Sequence, residues 1–150
     1  YLLADRFFRE NGYKHYEISN FCKKGMESKH NLKYWNCDEY LGFGPSAHSF
    51  INGERFFYRR SLSEFIMKPI QISDGPGGSV EEYCMLRLRL LDGLTKKEYK
   101  SRFGFDIPES FYKNASKYVD LGLVSISDKG ISLTPKGFLL SNSLISEIIS

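Results

Sequence analysis

Between Lys68 and Gly78 the chain places Pro69 and Pro76 together with Gly75, Gly77 and Gly78. Proline removes a backbone donor and glycine raises the entropic cost of order, so such a cluster interrupts helix and strand patterns alike. The composition therefore divides the chain into residues 1–68, a linker over 69–78, and residues 79–150.

Before the linker, short helical and strand patterns alternate. Leu2, Leu3, Arg6, Phe7 and Glu10 predict a helix stopped at Asn11-Gly12, and Tyr13–Phe21 alternates apolar and polar residues as a strand does. Ser28 is placed to cap a helix from Lys29 to about Asn36, and Tyr40–Phe50 predicts a strand end running into a tight loop. Asn52-Gly53 predicts a hairpin turn between His48–Ile51 and Arg55–Arg59, and Ser61–Met67 a helix start. After the linker the pattern changes. Ser79 with Glu82 opens a helix expected to reach Gly93, Thr95 opens another ending at Gly104, and Pro108 starts a third ending at Gly122. Leu123–Ser127 and Ile131–Leu133 predict a small hairpin, and Thr134-Pro135 a closing helix through Ile149. Three helices, a hairpin and a helix is the element order of a winged helix. The expected fold is α/β followed by a mostly α unit.

With 41% hydrophobic and 26% charged residues the chain is composed to pack a core, and its net charge of +3 is only mildly basic. Residues 79–150 carry ten Lys and Arg against nine Asp and Glu, and the helix expected in the groove offers only Lys113 and Lys117. That is a poor footprint for phosphate, so nucleic acid is not an expected partner. No apolar run approaches the roughly 18 residues of a membrane span. Cys22, Cys37 and Cys84 stand 15 and 47 residues apart, a spacing that fits neither a disulfide framework nor a metal-ligand set and points to free thiols in a reducing cytoplasm. The chain opens on Tyr1-Leu2-Leu3 without methionine, which is expected of the tail of a longer protein.

Two clusters carry chemistry. In His30-Asn31-Leu32-Lys33-Tyr34-Trp35 a helix sets His30 beside Tyr34 and Asn31 beside Trp35, joining an imidazole, a carboxamide and two large aromatic faces. An imidazole ligates iron and aromatic rings receive a flat macrocycle. The same residues also suit a buried aromatic hinge. In Leu41-Gly42-Phe43-Gly44-Pro45-Ser46-Ala47-His48-Ser49 the glycines let a ligand approach the backbone, or simply form a strand-end turn. A third glycine and a phosphate-gripping Lys-Ser/Thr are lacking, so this is no dinucleotide fingerprint. His15 reads as one position of a half-buried strand, and Glu17 as a solvated or ion-paired carboxylate more readily than a ligand contact.

Taken together, Gly12-Tyr13, Tyr16-Glu17-Ile18-Ser19-Asn20-Phe21, His30-Asn31-Leu32-Lys33-Tyr34-Trp35 and Tyr40-Leu41-Gly42-Phe43-Gly44 with Ala47-His48-Ser49 resemble the HemW-type heme chaperones. These are relatives of oxygen-independent coproporphyrinogen III oxidase in the radical S-adenosylmethionine superfamily. The resemblance continues through Met85–Leu90, Asp92-Gly93-Leu94, Arg102-Phe103-Gly104, Gly122-Leu123-Val124 and Leu133–Gly137. The His30–Trp35 block is its specific part, similar to the HNxxYW signature of heme binding. Tyr58 and Arg87 depart from the usual Asn and Gly of the family, outside these motifs.

The resemblance implies that residues 1–68 close a partial TIM-like radical S-adenosylmethionine barrel. It also implies that 79–150 are the family's C-terminal domain. In the intact protein it implies heme contact by His30, with iron at its imidazole, and by Asn31, Tyr34 and Trp35. It implies S-adenosylmethionine contact by Gly44, Ala47 and His48, and a [4Fe–4S] cluster on an N-terminal CxxxCxxC that these residues do not contain. These 150 residues alone are expected to hold no cofactor and no catalytic residue. The implied partners are heme or porphyrin and heme-accepting proteins in the cytoplasm, with a membrane-associated partner and the oligomeric state left open. The alternatives are a decarboxylating coproporphyrinogen III oxidase and a winged-helix protein-interaction module.

Overall fold

A computed structural model describes residues 1–150. Helix α1 (Leu2–Glu10) leads into strands β1 (Lys14–Glu17) and β2 (Asn20–Cys22), which pair antiparallel. The run Tyr13–Phe21, expected as one alternating strand, is thus a hairpin turning at Ile18-Ser19. Its alternation misleads because β1 is covered on both faces: His15, Tyr16 and Glu17 are buried in succession. The cover comes from far along the chain, where the Ile18 amide donates to the Arg89 carbonyl and the Leu91 amide to that of Tyr16.

Ser28 accepts from the Asn31 amide and starts α2 (Lys29–Trp35). Strands β3 (His48–Ile51) and β4 (Glu54–Tyr58) form a hairpin on Asn52-Gly53, both at positive φ (52° and 77°) as a type I′ turn requires. Helix α3 (Leu62–Met67), capped by Ser61, then returns the chain to β5 (Gln71–Pro76). Here the structure corrects the sequence reading: residues 71–76, expected within a linker, form an edge strand paired to β4 in the order β3-β4-β5. Edge strands tolerate proline, and the glycine at 75 (φ 84°) sits at an irregularity in the register.

Beyond it, α4 (Val80–Arg87) is capped by Ser79 and ends before Leu88, six residues short of the expected stop at Gly93, because Leu88–Leu91 turn to meet β1. Strand β6 (Leu94–Thr95), α5 (Lys96–Phe103) and α6 (Glu109–Ser116) follow, then β7 (Val124–Ser127) and β8 (Gly130–Leu133). These strands form a sheet in the order β6-β8-β7. A 3₁₀ turn (Gly137–Leu140) precedes the last helix, α7 (Ser141–Ile149), where the sequence predicts one helix from Thr134. Every strand pair in the chain is antiparallel.

One apolar cluster of 18 buried residues fills the centre, and all but Cys37 and Phe50 come from residues 83–148. Leu88, Leu94, Tyr99, Ala115, Ile131, Leu133, Ile145 and Ile148 are completely or almost completely buried there. The first half, by contrast, leaves Leu3, Met26, Phe43, Ile66 and Met67 largely in solvent. The accessible surface is 9336 Å². A compact monomer of 17.3 kDa exposes about 7,800 Å² by the usual scaling. Stability should be distributed accordingly: amide exchange is expected to be slowest in β8 and α7 and faster in β1, α2 and α3. Equal protection in both sets, measured by mass spectrometry, would contradict this reading of the core.

Candidate functional site

Helix α2 brings together the pair its spacing predicts. The His30 and Tyr34 rings meet edge to face with centroids 4.9 Å apart, and His30 Nε2 lies 2.8 Å from Tyr34 Oη. With the proton on Nε2 the imidazole donates to the hydroxyl, and Nδ1 keeps an outward lone pair. No residue of α2 is fully buried, and His30 is exposed, so the alternative of a buried aromatic hinge does not describe this helix. Asn31 contributes its backbone N–H to Ser28 Oγ, and it and Trp35 are half-buried.

Tyr34 also packs edge to face on Tyr40, with centroids 4.4 Å apart, and so joins α2 to the second cluster. Tyr40 and Phe50 exchange both backbone hydrogen bonds, at 2.9 Å, and pinch the loop 41–49 into place. The two glycines of that loop do different work. A Cβ at Gly42 would lie 2.3 Å from the His48 carbonyl oxygen, so Gly42 is demanded by packing within the loop. At Gly44 a Cβ would meet nothing within 4 Å, and it is the φ of 99° that favours glycine. Gly44 therefore borders open space. Ala47 is half-buried, while His48 is exposed, stacks on Phe57 at 4.9 Å and places Nδ1 3.3 Å from Asp74 Oδ2. Phe43, 85% exposed, projects from the same loop.

Three features escaped the spacing argument. His15 is not a half-buried strand position: Asp5 Oδ1 lies 3.1 Å from its Nδ1, Tyr1 Oη lies 3.3 Å from its Nε2, and both His15 and Asp5 are buried. Burial, with the charges of Asp5 and Glu17 nearby, pushes the Tyr1 phenol up to about 12. Glu17 is not solvated either; at 1% exposure its Oε1 accepts from the Ser19 amide, and Oε2 has no partner. The third feature is the pair Arg87 and Arg102, whose guanidinium groups reach from α4 and α5 to the end of α2. Spacing gives no signal for contacts 51 to 66 residues apart.

The cysteines are separate buried thiols on β2, just after α2 and on α4. Burial raises all three, Cys84 to about 12, which keeps them protonated and unreactive. No three His, Cys, Asp or Glu side chains stand together as metal donors. No helix is long and apolar enough to cross a membrane.

Residues 79–140 match the family model of the HemN C-terminal domain. The chain is 33% identical to the heme chaperone HemW of Bacillus subtilis over 147 residues, covering 93% of this chain and 39% of that protein. It is 29% identical to the heme chaperone HemW of Lactococcus lactis, over 93% of this chain and 38% of the relative. The chain thus spans about two fifths of the length of the curated relatives it matches. Among solved structures, it superposes on the coproporphyrinogen III oxidase HemN of Escherichia coli, a radical SAM enzyme, with a TM-score of 0.64 at 16% identity, over 98% of this chain and 39% of that one. That identity speaks for the fold alone. Over more than nine tenths of its length the chain is thus similar to heme chaperones named HemW, as its motifs suggest, and residues 79–140 match the HemN C-terminal domain.

Proposed function

We propose that the protein carrying these residues binds heme and hands it to acceptor proteins in the cytoplasm, with His30 as the iron contact. The observation that carries this reading is the state of His30: exposed, with Nε2 tied to Tyr34 Oη and Nδ1 free. A ligating imidazole needs its second nitrogen held in this way, because that bond fixes the tautomer and the ring orientation. Tyr34 and Trp35 would border the macrocycle with apolar surface, and Asn31 would add a carboxamide beside it. The names of the curated relatives support the same cargo.

Residues 1–68 act in this reading as the closing part of a radical S-adenosylmethionine barrel, and 79–150 as a winged-helix-like domain. The exposed apolar side chains of α1 and α3 suit packing against further barrel elements. Gly44, Ala47 and His48 would hold S-adenosylmethionine, which in the intact protein would serve with a [4Fe–4S] cluster as source of a radical. The open space at Gly44 and the exposed ring of His48, whose Nδ1 is turned to Asp74 and whose Nε2 has no partner, suit a polar, flat ligand.

A second reading, oxidative decarboxylation of coproporphyrinogen III, is favoured by the structural likeness to an enzyme of that name. Titration of hemin into the full-length protein and its His30→Ala variant, followed by the Soret band, separates the two. His30→Ala is expected to weaken hemin binding at least tenfold and to shift the band, while Tyr34→Phe, which removes the hydroxyl that steers the ring, weakens it less. Unchanged binding in His30→Ala together with turnover of coproporphyrinogen III would overturn the chaperone reading.

A further inference from the structure

Helix α2 has only seven residues, too few to be stable by itself, and Ser28 satisfies just its first turn. Its other end is the exposed problem. The Cys37 backbone that follows takes φ 54°, a left-handed conformation that costs a non-glycine residue on the order of 1 kcal/mol. The carbonyls of Asn36 and Cys37 follow the last helical residue, Trp35, at the negative end of the helix dipole, where carbonyls lack intrahelical donors.

Both are met by one side chain from α5. Arg102 donates Nη1–H to the Asn36 carbonyl at 3.2 Å and Nη2–H to the Cys37 carbonyl at 2.7 Å. Its guanidinium also lies over the Tyr83 ring at 5.0 Å, with Asp38 at 3.9 Å. The Asn36 side chain is held by a second arginine. Arg87, 5% exposed, spends Nη1 on Asn36 Oδ1 (2.5 Å), Nε on the Gly93 carbonyl (3.1 Å) and Nη2 on Glu98 Oε2 (2.6 Å). Glu98 in turn accepts from the hydroxyl of Thr95, which caps α5. All three guanidinium nitrogens of Arg87 are engaged, so it has one arrangement available.

We propose that Arg102 and Arg87 are positioning residues through which residues 79–150 clamp the end of α2 and so fix the direction of His30 and Tyr34. The C-terminal unit, which holds nearly all the core, thereby lends its rigidity to a short surface helix. Two adjacent carbonyls require the planar fork of arginine; a lysine supplies charge without that geometry. This rests on the heme reading only for what the clamp serves, and the clamp itself is read without ligand.

The test uses the full-length protein with Arg102→Ala and Arg102→Lys, and Arg102→Gln as a milder variant should alanine fail to fold. Without hemin, amides of residues 32–38 are expected to exchange roughly tenfold faster in Arg102→Ala, the fold-change of one charge-assisted hydrogen bond, with β8 and α7 unchanged. Arg102→Lys should stay close to alanine. With hemin, Arg102→Ala should broaden or shift the Soret band and weaken binding severalfold. Unchanged exchange at 32–38, equal acceleration in β8 and α7, or full restoration by lysine would overturn the clamp. Unchanged hemin binding in the His30→Ala control, with fast exchange at 32–38 still present in Arg102→Ala, would overturn the heme reading and leave the clamp standing.

Discussion

Replacing Asp5 by alanine is expected to lower the unfolding free energy by about 3 kcal/mol, far more than a first-turn helix residue normally costs. Asp5 is 2% exposed and accepts from Arg9 at 2.6 Å (Nη2) and 3.1 Å (Nε). Its other oxygen lies 3.1 Å from His15 Nδ1. The two partners lose unequally when the carboxylate goes. The Arg9 side chain is 57% exposed and returns to water at little cost. His15 has no such outlet, because its ring is stacked on Phe21 at 4.3 Å and meets the edge of Phe138 at 5.6 Å. Its Nδ1 would lose a partner where water does not reach, and an orphaned buried polar group costs about 1–3 kcal/mol by itself. Asp5→Asn keeps an acceptor and should lose less. Combining Asp5→Ala with His15→Phe, which offers an apolar ring to the two phenylalanines, should recover at least about 1 kcal/mol of the loss. Urea unfolding of the wild type, Asp5→Ala, His15→Phe and the double variant measures this cycle, and a change below about 0.5 kcal/mol in Asp5→Ala would show the pair to be energetically equivalent to a surface one.

Chemistry confined to neighbouring residues was legible in the sequence. Ser28, Ser61, Ser79 and Thr95 each accept from the amide three residues on, as their positions before helical runs announce. Asn52-Gly53 and Asp128-Lys129 turn the hairpins expected of them, and His30 meets Tyr34 because a helix leaves them no alternative. What stayed hidden depends on partners distant in the chain. Nothing near Glu17 says that Leu90 will pair with it, so the burial of β1 on both faces and its misleading alternation went unseen. Strand β5 was hidden for a different reason: Pro69, Gly75 and Pro76 describe the local backbone correctly, but an edge position beside β4 makes a strand of it all the same. The candidate site divides along this line. Its candidate ligand contacts are local motifs, whereas Arg87 and Arg102, which meet the residues just after α2, come from a unit whose packing against α2 no spacing encodes.

That dependence on one central core has a consequence at high pH, where stability is expected to fall steadily from about pH 9 toward 12. Cys84 is completely buried within the apolar cluster, and its thiol is pushed from 9.0 to about 12, first by burial and then by the charge of Glu81. Below pH 9 the thiol is protonated in both folded and unfolded chains, and its titration favours neither. Above it the unfolded chain releases the proton while the folded chain keeps it, so each pH unit costs the folded state about 1.4 kcal/mol until the folded thiol itself ionises. Over the three units between 9.0 and about 12 this amounts to roughly 4 kcal/mol. Burial moves the thiols of Cys22 and Cys37 in the same direction, as it does the phenols of Tyr83 and Tyr99. Urea midpoints measured in reducing buffer from pH 8 to about 11.5 should therefore decline. Cys84→Ala keeps the site apolar and removes one titrating group, so its decline should be shallower by close to one proton, about 1.4 kcal/mol per pH unit. A slope identical to that of the wild type would show that the Cys84 thiol reaches water before the molecule unfolds, and that the centre of the core opens more readily than its packing implies.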